Sequence, residues 1–199
     1  MSHANPTSGR PRLAVLLSGS GRTLDNLLEA IHDGALDASV AVVIGSRPCL
    51  GVRKAAQAGI ETRIMRGTIP GAELGELLDD QGVSLVVLAG YLQKIEIPPS
   101  YEGRIVNIHP ALLPDFGGPG MYGHHVHQAV IDAGRAESGC TVHLCDATYD
   151  TGPILEQSRC PVLPGDDADA LAARVFELEC ALYPRVIASL LDRQRTGAA

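Results

Sequence analysis

The chain has no tryptophan, and aromatic residues make up only 4% of its 199 residues. A platform that stacks unpaired bases needs aromatic rings, so that mode of nucleic-acid binding is disfavoured. Positive charge is also scarce: 16 Lys and Arg stand against 23 Asp and Glu, a net charge of −7. That balance argues against extended contact with a phosphate backbone, though not against a local basic pocket. No apolar run is long enough to cross a bilayer. The opening stretch, Met1 to Arg10, lacks the apolar segment of a secretory signal. The five cysteines (Cys49, Cys140, Cys145, Cys160, Cys180) form no CxxC pair, and their number is odd. A disulfide framework or zinc site is therefore disfavoured, and a reducing cytoplasm is the simplest compartment. The expectation is a cytoplasmic monomer or homodimer that acts on small molecules, with no nucleic-acid or membrane partner.

Hydrophobic residues at 45% and charged residues at 20% suit a soluble globular protein, and the length suits one domain. We place that domain at residues 12–192, with disordered tails at 1–11 and 193–199. Short apolar runs alternate with helical patterns. Leu13–Leu17, Val40–Ile44, Ile60–Met65, Ser84–Leu88 and Arg104–Ile108 read as strands. Helices are expected from about Thr23, Gly51 and Ala72. After residue 122 the pattern changes: a helix near His124–Ala133, then two strands close in sequence, Thr141–Cys145 and Ile154–Val162, expected to be antiparallel. A long helix follows Asp167 with a Leu171, Val175, Leu178, Leu182 stripe, and Pro184 should kink or end it. The fold class is α/β: a mostly parallel sheet with helices on both faces and an antiparallel C-terminal strand pair.

Two stretches carry chemistry. In Asn107-Ile108-His109-Pro110, at the end of a strand, alternation puts Asn107 and His109 on one face and Ile108 on the other. An amide donor and an imidazole aimed the same way can hold a developing oxyanion and move a proton. Asp150, in Asp150-Thr151-Gly152-Pro153, is a carboxylate that can orient the histidine and raise its pKa. The glycine turn Ser18-Gly19-Ser20-Gly21-Arg22-Thr23 joins the first strand to the first helix. Leu24 occupies the place of the third glycine of a dinucleotide fingerprint, and the second strand has no acid at its end. One phosphate at the helix N-terminus suits the turn better, and a plain tight turn is the competing reading. A second glycine-rich stretch, Gly117–Gly123, is either a flap over a site or a surface loop. It precedes His124, His125 and His127, where a metal site is weakly suggested: no complete ligand spacing accompanies them, and we expect no metal.

Five motifs, Ser18-Gly19-Ser20-Gly21, Leu88-Ala89-Gly90-Tyr91, Asn107 through Pro114, Gly139 through His143 and Asp150 through Leu155, occur in a known order. In that order the chain resembles the folate-dependent formyltransferases, in particular the phosphoribosylglycinamide formyltransferase group, over Leu13 to Ile187. The resemblance implies a Rossmann-like formyltransferase fold. It implies transfer of a formyl group from the co-substrate 10-formyltetrahydrofolate to the amine of glycinamide ribonucleotide, in purine synthesis and without metal. Carried over, His109 is general acid and oxyanion partner, Asn107 donates to the formyl oxygen, and Asp150 pairs with His109. His143 supports them from behind. Gly21, Arg22 and Thr23 match the substrate-phosphate turn, and Phe176 to Glu179, with Phe176 and Glu179 foremost, the segment touching the ribonucleotide. Leu92, Gln93, Lys94 and Ile95, with Asn107, Asp146, Ala147, Thr148, Tyr149 and Asp150, match the folate pocket, largely through backbone groups. The chain departs from the group at Arg22-Thr23, where Ser-Asn is usual, and at Gln93-Lys94. Between Met65 and Leu74 the chain also gives no clear match for an arginine that the group places there. The alternatives are another formyl acceptor, such as an amino-sugar nucleotide, or a catalytically silent module that binds a phosphorylated ligand.

Overall fold

A computed structural model describes residues 9–196, so residues 1–8 and 197–199 of the expected tails lie outside the described residues. Seven strands form one sheet: β1 (Arg12–Leu17), β2 (Ser39–Gly45), β3 (Glu61–Ile64), β4 (Leu85–Leu88), β5 (Ile105–His109), β6 (Glu137–Leu144) and β7 (Ile154–Pro161). Their order is β3-β2-β1-β4-β5-β6-β7. The first five strands are parallel, whereas β6 runs antiparallel to both β5 and β7. The expected antiparallel pair is therefore present, and a second antiparallel pairing, β5 with β6, accompanies it.

The helices are α1 (Arg22–His32), α2 (Leu50–Gln57), α3 (Gly71–Asp80), α4 (His124–Asp132) and α5 (Ala168–Thr196). Strand alternation divides the core in two. Leu13, Val15 and Leu17 of β1 join α1, α2, α4 and α5 in one cluster, while Ala14 and Leu16 face α3 in the other. Both faces are covered, but unequally.

The five strands and helices that precede residue 110 each fall within a few residues of expectation. The last helix differs. It runs unbroken through Pro184 to Thr196, so residues 193–196 of the expected tail are helical. An internal proline deprives the carbonyl four residues earlier of its donor. Here that carbonyl belongs to Cys180, and the Asn26 side-chain amide from α1 donates to it at 3.1 Å. The lost bond is replaced across the helix–helix contact, and Pro184 itself is buried. The preceding residue, Tyr183, is fully buried and donates its hydroxyl to the carbonyls of Leu88 and Val106, both at 2.9 Å. That anchors α5 to β4 and β5 close to where Asn107 follows.

The chain proceeds from β1 outward to β2 and β3, then jumps back to β4 on the other side of β1. Such a reversal opens a crevice beyond the C-terminal ends of the two central strands. The segments that follow β1, β4 and β5 all enter it.

Candidate active site

A cavity of about 620 Å³ occupies the crevice, and every site residue expected from the sequence lines it. On β5, Asn107 and His109 share one face, while Ile108 joins the core cluster behind the sheet. Asn107 stands directly opposite His143 of β6 in the antiparallel register. The Asn107 amide nitrogen lies 3.1 Å from His143 Nε2. The Leu144 carbonyl, 2.9 Å away, accepts from His143 Nδ1, which leaves Nε2 to accept from Asn107. One N–H of the Asn107 amide is thus held and the other is free for a ligand. His143 also borders the cavity, and its Nε2 lies 3.5 Å from Asp150 Oδ1.

Asp150 arrives on a loop knitted by Asp146, which accepts from the Thr148 amide at 2.8 Å and the Thr151 hydroxyl at 2.9 Å. The loop can dock because residue 152 is glycine: a Cβ there would strike the Leu144 carbonyl. Asp150 itself adopts φ 59°. Its Oδ2 lies 3.5 Å from His109 Nδ1 and accepts the Gly118 amide at 2.9 Å. Burial pushes its carboxyl up, but the His143 and His109 side chains and the Gly118 amide outweigh burial and hold it below its ordinary value. It is therefore an anion at neutral pH.

His109 departs from expectation. Asp150 does favour its charged form, yet burial lowers its pKa by more, with His143 adding to the effect, so the balance falls below the usual 6.5. The ring is 3% exposed, too little for one carboxylate at 3.5 Å to compensate the loss of water. At neutral pH the imidazole is neutral. Its Nε2 donates to the Phe116 carbonyl at 2.8 Å.

The glycine turn forms the far end of the cavity. Gly21 has φ 77° and its Cα abuts Gly51, so here the glycine serves close packing of the α1 and α2 starts as well as the turn. Ser18 ties the turn to neighbouring segments: its hydroxyl accepts from Ser46 at 2.7 Å and from the Leu92 amide at 2.9 Å. On α5, Asp169, Ala172, Phe176 and Glu179 form a stripe of helical spacing that faces the cavity. The Arg22 guanidinium lies 3.7 Å from the centre of the Phe176 ring. Burial pushes the Glu179 carboxyl up to about 7, and Arg22 opposes that rise.

The Leu92–Ile95 segment and the Asp146–Asp150 loop make the other end. The Leu92 amide is taken by Ser18 and the Lys94 carbonyl by the Ile69 amide, so the expected backbone contacts fall to the segment's other groups. Leu92, Tyr122 and Tyr149 are among the few large exposed hydrophobic residues, and all three line the cavity. The sequence reading missed Tyr91, Tyr122 and His127 as lining residues. His127 is buried with no partner at Nδ1, and burial, with His124 and His109, lowers its pKa to about 4. Its spacing from His124 was the available signal, but His124 pairs with Asp169 at 3.2 Å at the exposed edge of the cavity. Among the described residues, no group of three or more His, Cys, Asp or Glu is gathered in a way that would hold a metal ion. No helix of the described residues is long and apolar enough to cross a membrane.

With an amide donor, an imidazole and a carboxylate converging beside a phosphate-sized turn, the comparison with known proteins is specific. The family described as Formyl transferase matches residues 11–187, and the chain belongs to it. Within it, phosphoribosylglycinamide formyltransferases are the recurring likeness. That of Haemophilus influenzae is 35% identical over 185 residues, which cover 88% of this chain and 85% of that protein. Glycinamide ribonucleotide transformylase 1 from Symbiobacterium toebii has a structure that superposes with a TM-score of 0.82 at 35% identity, covering 94% of this chain and 91% of that one. The chain is also 40% identical over 194 residues to the trifunctional purine biosynthetic protein adenosine-3 of Drosophila melanogaster, where it spans 92% of itself but 14% of that longer protein.

Proposed function

We propose that the protein transfers the formyl group of 10-formyltetrahydrofolate to the amine of glycinamide ribonucleotide, and does so in the cytoplasm as a monomer or homodimer. The observation that carries this reading is the convergence of Asn107, His109 and Asp150 in one cavity, between a glycine turn and a pocket edged with exposed hydrophobics. Its volume and mixed polarity suit two small ligands side by side.

The chemistry follows from that layout. Holding the amine against the formyl carbon removes much of a bimolecular barrier. As the nitrogen–carbon bond forms, the formyl oxygen takes on negative charge and the nitrogen positive. The free Asn107 N–H meets the oxygen. A neutral His109 accepts, at Nδ1, a proton from the newly bonded nitrogen, and the resulting imidazolium, supported by Asp150, then meets the oxygen as well. The proton then passes to the folate nitrogen as its bond to the formyl carbon breaks. His109 thus acts first as base and then as acid, a refinement of the acid role that the motif suggests.

The reading is tested by the rate of tetrahydrofolate release from 10-formyltetrahydrofolate with a panel of amines. Dependence on glycinamide ribonucleotide is the expected result; release only with another amine, or with none, overturns it. Five free cysteines, with no disulfide among the described residues, suit the proposed compartment.

Arg22 is assigned to the substrate phosphate. Its guanidinium carbon sits 3.7 Å from the centre of the Phe176 ring, a contact that holds it without using its N–H groups, and the first amides of α1 lie beside it. Arg22→Ala is expected to raise KM for the ribonucleotide about 10- to 100-fold, the value of a lost charge-assisted hydrogen bond, with little change in kcat. Steady-state kinetics check this, and an unchanged KM removes Arg22 from the site.

Glu179 sits close enough to Arg22 to feel its charge. Below about pH 7 its carboxyl is neutral; above it, the carboxylate competes for Arg22 and repels a phosphate. KM for the ribonucleotide is therefore expected to rise several-fold between pH 6 and pH 8, and Glu179→Gln to flatten that rise. A profile identical in both proteins contradicts the assignment.

A further inference from the structure

We propose that Arg135 is a positioning residue for His109 and acts through Phe116; this rests on the assignment of His109 above. The Phe116 carbonyl is the acceptor that holds His109 Nε2, at 2.8 Å. Phe116 has φ 55°, a backbone region that L side chains rarely occupy, so something must keep it there. A second cavity of about 390 Å³ borders its ring, walled also by Leu112, Val130 and Ser138. The ring therefore has room to move and relieve the strain.

Arg135 grips this corner at two consecutive residues. Its guanidinium lies over the Phe116 ring, 5.5 Å from its centre, and its Nη2 reaches Asp115 Oδ2 at 2.6 Å. The residue is itself fixed just beyond α4, where its amide donates to the Val130 carbonyl at 3.3 Å. Among the described residues Arg135 forms no other ion pair, and the Asp115 pair is half exposed and contributes little to stability on its own.

The consequence for His109 is a choice of tautomer. While the Phe116 carbonyl stays in place, the single proton of the neutral ring sits on Nε2, and Nδ1 keeps its lone pair. If that carbonyl swings away, the Asp150 carboxylate, 3.5 Å from Nδ1, draws the proton to that side. The ring then presents the wrong nitrogen in its proton-accepting state.

The test is Arg135→Ala, read by turnover and by the ¹⁵N chemical shifts of the His109 imidazole. We expect kcat to fall about tenfold, short of the 10²-fold that a full ångström of misplacement costs, with KM for both substrates within about twofold. The ¹⁵N shifts should move toward an Nδ1-protonated ring. Arg135→Lys, which keeps a cation over the ring and beside Asp115, should restore most of both. Asp115→Asn should reproduce the effect more weakly, and it carries the same readouts if Arg135→Ala fails to fold. Wild-type kcat and ¹⁵N shifts in both variants overturn the clamp while leaving His109 in its role. Full turnover in His109→Ala overturns the catalytic assignment itself, and the clamp with it.

Discussion

His109→Ala is expected to lower kcat by about 10²–10⁴, the range that a positioned acid–base group contributes. The loss should appear in kcat and kcat/KM together, because the ring acts on charge that develops only as the amine attacks. Its neutral resting form sharpens the prediction. Burial holds His109 below its ordinary pKa, so the wild-type rate should fall only in acid, as the ring takes up a proton at pH values under 6.5. That acid limb should be missing from the variant. The substitution removes a ring from a site that is already a large cavity, so the fold should persist; circular dichroism and initial rates from pH 5 to 8 check both parts.

Asn107→Ala carries the second-largest effect. Its amide is held by His143 on one side and is open to the cavity on the other. A single preorganised donor to a tetrahedral oxyanion is worth about 10²–10³ in kcat. We expect a loss of that size, with KM for folate and ribonucleotide changed far less. A drop confined to KM would make Asn107 a binding group only and leave the oxyanion to His109 alone.

Much of this site was legible in the sequence because it depends on short-range patterns. Alternation fixed the shared face of Asn107 and His109, and β5 realises it with Ile108 turned into the core. Asp150 stood out in Asp150-Thr151-Gly152-Pro153, whereas the need for Gly152 shows only in the close approach of the Leu144 carbonyl. The parallel strands β1, β2, β4 and β5 announced themselves as apolar runs and are largely buried, whereas β3 at the sheet edge is part polar and part exposed.

What escaped depends on partners distant in the chain. The pairing of β6 with β5 is set by docking, since their local patterns fit either direction. Pro184 signals a break by every local rule, and only the Asn26 amide, 154 residues before the Cys180 carbonyl it serves, reveals why the helix continues. Tyr183 gave no hint that its hydroxyl would reach two strand carbonyls. The direction of the His109 shift was misjudged for the same reason. A motif shows the carboxylate that raises a pKa, but burial is a property of the assembled fold, and here it prevails. For the histidines at 124–127 helical spacing was the sole guide, and it gave only weak grounds for a metal centre; in space His124 pairs with Asp169 at the cavity edge and His127 is buried in the cavity wall.

The central claim is that one oxygen, the formyl oxygen, is received jointly by Asn107 and His109. A crystal structure with glycinamide ribonucleotide and an unreactive formyl-folate analogue tests it most directly. The account predicts that oxygen within hydrogen-bond distance of both the Asn107 amide nitrogen and the His109 ring, with the ribonucleotide phosphate at the Gly21–Thr23 turn. A formyl oxygen turned toward solvent or toward the Leu92–Ile95 wall, with Asn107 and His109 making no contact to it, would contradict it.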